Sequence, residues 1–178
     1  MRWVALTLAA LPASALAQGV APPVFNPKAP ENVQILPAFS FATVEPVLRA
    51  IGARHQRSTS DGRPALLVTF PNNRRATLSF GSCDSRGGAC KAMGIISYWT
   101  PIAASPPERT AEAIASFNRR FSFAKAFVAE DGRPALQRYL TADFGFIRGN
   151  LAVNLLVFAN QAEQFATQVL RPLETPQP

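Results

Sequence analysis

Histidine occurs once, at His55, and cysteine twice, at Cys83 and Cys90. Each scarcity removes a class of chemistry. A Ser-His-Asp hydrolase would have to use His55, and no Gly-x-Ser-x-Gly elbow is present to hold its serine. A structural zinc site needs four ligands, and only His55 could join the two thiols without recruiting carboxylates. No phosphate-binding glycine loop or dinucleotide fingerprint occurs. Asp143, Asn150 and Asn154 lack calcium-loop spacing. The carboxylates are dispersed: Asp61 and Asp131 in turns, Asp84 between the cysteines, and Glu108 and Glu112 one helical turn apart beside Arg109. No catalytic, metal or cofactor residue is therefore assigned, no cofactor is expected, and a binding protein is expected rather than an enzyme. A small hydrolase built on His55 or on paired carboxylates is the weakest alternative. His55 itself lies beside Arg54 and Arg57 in a polar segment and reads as a surface histidine.

Long apolar runs are also scarce. Residues 3–11 are uncharged and mostly apolar, yet shorter than the ~20 residues of a membrane helix. They follow Arg2 and precede Ala15-Leu16-Ala17, the small-x-small pattern of a signal peptidase site. Residues 1–17 thus read as a signal peptide, with Gln18 opening a mature chain in the periplasm or outside the cell. The next most apolar stretch, 151–159, is interrupted by Asn154 and flanked by Asn150 and Asn160. No transmembrane segment is expected after cleavage. Of the 178 residues, 161 then remain, enough for one domain with a sizeable core.

The formal charge is +7, or +6 without Arg2, and arginine supplies most of it because lysine appears only at 28, 91 and 125. The cations are scattered as singles and pairs, with no run of five. Nucleic acid is therefore not an expected partner. The pairs Arg74-Arg75 and Arg119-Arg120 are the candidate contacts for an anionic envelope component or a protein partner. The plainer account is a solvated basic surface.

In an oxidising compartment an even cysteine count favours a disulfide. Between Cys83 and Cys90 lies a polar, glycine-rich turn with strand-like runs on both sides. A bridge across the mouth of a hairpin is the simplest geometry. A redox pair would favour Cys-x-x-Cys at a helix start, which is absent.

Residues 18–38 contain five prolines and read as a disordered lead-in. A first helix is expected over 44–51, with Thr43 as N-cap. Strands follow over 54–59, 65–70, 76–83 and 93–99. Alternation along 76–83 puts Leu78 and Phe80 on the core side and Cys83 opposite. Ser105-Pro106-Pro107-Glu108 predicts a capping box opening a helix that runs to about Arg120. Strands over 123–130 and 135–142 flank Asp131-Gly132, and a last helix spans about 147–170 on an apolar stripe from Leu151 to Val169. Residues 171–178 read as a flexible tail. Short turns force antiparallel pairing, so the expectation is an α+β fold, an antiparallel sheet packed with three helices in the order α-β-β-β-β-α-β-β-α.

The hexapeptide Asp-Gly-Arg-Pro-Ala-Leu occurs at 61–66 and again at 131–136. A duplicated half would explain it, but the flanks match poorly. Shared hairpin chemistry explains it more simply.

The paired cysteines around an apolar strand pair, Phe117-Asn118-Arg119-Arg120-Phe121 before a strand, the Asp131-Gly132 turn, and Gly149-Asn150-Leu151 opening a long helix together resemble the YbjN family. These are described as bacterial sensory transduction regulators and are similar in fold to the type III secretion chaperones. The resemblance covers about 39–170, the expected domain. Phe117 stands where the family commonly has tryptophan. The resemblance supplies no catalytic residues and implies a binding or regulatory role with a protein partner. The pairing of the secretion chaperones implies a homodimer as one form. The working surface would be a sheet face, or a groove flanked by the second and third helices.

Overall fold

The structure is a computed structural model that describes residues 25–174. The expected signal peptide and the start of the lead-in lie outside the described residues. Strand β1 is Ile35–Leu36 and helix α1 is Phe41–Ala50. Four strands follow, β2 (Arg54–Ser60), β3 (Arg63–Thr69), β4 (Arg75–Cys83) and β5 (Cys90–Tyr98). Helix α2 (Pro107–Arg120) precedes β6 (Lys125–Val128), β7 (Pro134–Thr141) and β8 (Phe146–Ile147). Helix α3 (Arg148–Phe165) closes the domain. Six strands form one antiparallel sheet in the order β2-β3-β4-β5-β7-β6. The expected element order and α+β class hold.

Alternation decides which side of the sheet the helices cover. Leu66, Leu78 and Ile95 are paired across β3, β4 and β5, and all three are fully buried. Phe80, Met93 and Leu140 form the next row. These side chains share one core with Val44, Val47 and Leu48 of α1, Ile114 and Phe117 of α2, and Leu151, Leu155, Phe158 and Phe165 of α3. All three helices therefore bury their apolar stripes on the same side of the sheet.

Several boundaries differ from the sequence reading for local reasons. Helix α1 starts earlier, with Ser40 as N-cap. Ser40 Oγ accepts from the Thr43 N–H, and Thr43 Oγ1 accepts from the Ser40 N–H, so Thr43 closes the capping box from inside the helix. The box expected at α2 does not form. Pro106 occupies the N-cap position, and the Ser105 hydroxyl instead accepts a hydrogen bond from Thr110 Oγ1.

Within the described part of the lead-in, Phe25 packs against the core. Residues Pro30–Val33 form a 3-10 turn, and β1 pairs antiparallel with β8. The prolines there end short pieces of structure without abolishing them. The tail expected after 170 also continues as structure. The helix widens into a π turn over Ala166–Leu170 and resumes as Arg171–Glu174, with Leu173 buried. That wide turn ends two residues before Pro172, which has no N–H to give to a regular helical ladder.

The repeated hexapeptide builds two different turns. Asp61 and Gly62 both take positive φ (51° and 73°), the two-residue hairpin form that matches strand twist. At the second copy only Gly132 does, and the Asp131 carboxylate accepts from the backbone N–H and the Nε of Arg133.

Candidate interaction surface

The residues between the core positions point the other way, and among the described residues no helix covers them. One row across this outer side runs Gln56, Leu67, Thr77, Ile96, Gln137, Lys125, in register from β2 to β6. The neighbouring row is Ser58, Ala65, Ser79, Gly94, Tyr139. Leu67 is 47% exposed, Tyr98 44% and Tyr139 60%, values unlike those of a sheet interior. A shallow groove of about 810 Å³ lies over Gln56, Leu67, Thr77, Ile96 and Tyr98, with Arg54 and Arg75 at its end. In the neighbouring row Gly94 packs closely on Ser79, where a Cβ would stand 3.2 Å from Ser79 Oγ.

The charge on the sheet is one-sided in sign. The six strands contain seven cationic residues and no carboxylate. Three of these cations project toward the helices or the lead-in, and each has a partner. Arg57 donates to both carboxylate oxygens of Glu45 at 2.6 and 3.1 Å. Lys91 Nζ donates to the Pro37 carbonyl at 3.0 Å, and Arg138 donates to the Phe123 carbonyl. The other four, Arg54, Arg63, Arg75 and Lys125, lie on outward positions and form no ion pair among the described residues. Arg133, in the turn before β7, places its guanidinium 4.3 Å over the Tyr98 ring while pairing with Asp131.

The four arginines singled out from sequence do not come together as one site. Arg74 and Arg75 point to opposite sides. Arg74 donates to Glu163 of α3 at 2.6 Å, which holds that carboxyl below its usual range. Arg75 joins the outer groove. Arg119 and Arg120 end α2, where Arg120 reaches Gln168 and stacks on Phe121. They border a second groove between α2 and the π turn, floored by Phe117, Val169 and Leu173. The two alternatives for a working surface, a sheet face or a groove beside the second and third helices, thus correspond to separate places in the fold. Arg54, Arg63 and Lys125 were missed as site residues. The absence of acidic residues from the expected strands, apart from Glu130 at the end of 123–130, was the available signal.

Cys83 and Cys90 form the disulfide. Cys83 does not turn away from the core as alternation implied. Ser82 has φ 50°, which breaks the alternation, so Cys83 packs against the core that contains the fully buried Cys90. His55 lies on the helix side of edge strand β2, opposite Val68, with its Nδ1 buried and without a hydrogen-bond partner. Trp99 packs edge-on against Phe165 and belongs to the core. Among the described residues no three His, Cys, Asp or Glu side chains stand where they could share a metal ion.

A family model described as "putative bacterial sensory transduction regulator", YbjN, matches residues 40–171. Among solved structures the chain is similar to YbjN from E. coli, with 15% identity and a TM-score of 0.48 over 78% of this chain and 93% of that one. No curated protein matches the chain.

Proposed function

The chain belongs to the YbjN family, and from that membership we propose that it is an exported, non-enzymatic regulatory module that works by binding a protein partner. The observation that carries this reading is the side of a six-stranded sheet that no layer of the described residues covers, with Leu67, Tyr98 and Tyr139 exposed on it. Sheets normally bury an apolar face against another layer. Here one side is satisfied by three helices and the other keeps aromatic and aliphatic groups in solvent, as binding surfaces do. The signal-like start supports export. Among the described residues, no helix is long and apolar enough to cross a membrane.

The test has two arms. N-terminal sequencing of the exported protein should begin at Gln18, and a full-length chain retained in the cytosol would overturn export. A photo-crosslinking residue at Tyr139 should trap one defined partner in the envelope. The same residue at Val153, 48% exposed on α3, should not. Equal trapping from both positions, or from neither, would overturn the sheet-face reading.

A further inference from the structure

We propose that the occupant of the outer sheet face is an acidic, amphipathic segment of a protein partner, held by Arg54, Arg63, Arg75 and Lys125 around the apolar centre of Leu67 and Ile96. The inference rests on the sheet-face reading and names the chemistry of what that face takes. Its basis is the contrast between the two sides of one sheet. Cations projecting inward are each matched by Glu45 or by a backbone carbonyl. The four outward cations have no ion-pair partner among the described residues, and no strand supplies a carboxylate that could provide one.

The layout suits a ligand that is both anionic and apolar. Arg54 and Arg75 share the row Arg54–Thr69–Arg75, two strands apart, a separation of about 10 Å. Lys125 ends the row that carries Leu67 and Ile96. Arg63 stands across the sheet near Gly81. Cations thus rim a centre of apolar groups, the usual anatomy of a protein interface. Complementary charge on the partner steers encounter and fixes register.

The same charges argue against a second copy of this chain on this face. A two-fold interface sets a surface against itself. It would bring four unpaired cations of one copy against four of the other, with no strand carboxylate between them. A membrane is also a poor match, because Gln56, Thr77, Ser79 and Gln137 lie among the apolar groups and would have to be desolvated with them.

Backbone-amide NMR of the mature protein tests the inference with three peptides that share one helical leucine pattern. Their remaining positions are glutamate, glutamine or lysine. Vesicles of phosphatidylglycerol serve as the lipid probe. The glutamate peptide should shift the amides of Leu67, Thr77 and Ile96 and bind at least about tenfold tighter than the glutamine peptide. Arg54→Gln with Arg75→Gln should weaken it by about tenfold and flatten its salt dependence. Arg119→Gln with Arg120→Gln should leave it unchanged. Equal binding of the glutamine peptide at the same amides would overturn the acidic preference and leave the sheet-face reading standing. Shifts confined to α2 and α3, a response to vesicles alone, or no shift with any probe would overturn the inference. The crosslinking arm at Tyr139 judges the underlying reading separately.

Discussion

Cys90 exchanges both of its backbone hydrogen bonds with Phe39, donating at 2.9 Å and accepting at 2.8 Å. With its amide and carbonyl directed at Phe39, Cys90 forms a non-hydrogen-bonded pair with Cys83 on β4, the kind whose side chains stand closest. Its thiol is therefore free to bridge. One residue ties β4, β5 and the segment that caps α1, since Phe39 immediately precedes Ser40. Replacing both cysteines by alanine should cost about 2–3 kcal/mol, the loop-closure value for so short a loop. Urea titration with and without reductant measures it. A reduced wild type as stable as the oxidised one would contradict the assignment.

Leu66 and Leu67 are adjacent, and the structure assigns them opposite sides of β3. Leu66 is fully buried and Leu67 is 47% exposed. Leu66→Ala should cost about 2–5 kcal/mol, as core truncations do. Leu67→Ala should stay within about 0.5 kcal/mol, the range of surface substitutions. Similar losses for the two would mean that something covers the outer face.

The order of elements was legible because each stretch announces its period: alternation in 65–70 and 76–83, and four-three spacing along the last helix. What escaped was set by contacts between distant residues. Nothing around Ile35 shows that it will pair with Ile147. The early start of α1 was missed because Thr43 reads as an N-cap, and only its reciprocal bonds with Ser40 place it inside the helix. The turn of Cys83 toward the core needed the positive φ of Ser82, a residue type that seldom takes it. For the site, Arg74-Arg75 read as a pair because they are neighbours in the chain. A strand sends neighbours to opposite sides, so one became a structural ion pair and the other a surface group. The unpaired outer cations lie far apart in sequence and meet only through the register.

Gly149 opens α3 against the lead-in. A Cβ there would sit 2.9 Å from the Asn32 carbonyl oxygen, and backbone cannot yield as a flexible side chain can. Gly149→Val should therefore push Pro30–Val33 off the helix and cost about 1–3 kcal/mol, the range for overpacking. Hydrogen exchange offers a direct check. The Arg148 N–H bonds to the Gln34 carbonyl at 2.9 Å and should lose protection, while amides in β4 and β5 keep theirs. Unchanged protection at Arg148 would show that the lead-in tolerates the side chain.

Glu45 fastens α1 to the edge strand β2, and the bond sets how stability responds to acid. Its side chain is only 14% exposed and accepts two hydrogen bonds from Arg57, whose guanidinium also lies 4.7 Å over Phe41. The hydrogen bond from Arg57 is the main reason the Glu45 carboxyl is held below its ordinary value of 4.5. A carboxyl depressed in the folded state contributes stability above its unfolded value and loses it as pH falls through the folded one. Glu163, held down by Arg74, acts with the same sign. Wild type should thus exceed Glu45→Gln in stability at neutral pH, and the gap should close as the pH drops below about 4.5. Denaturation midpoints of both proteins between neutral and acidic pH measure the gap. A gap that stayed constant or widened in acid would mean that the ionised Glu45 carboxylate, paired with Arg57, does not stabilise the fold.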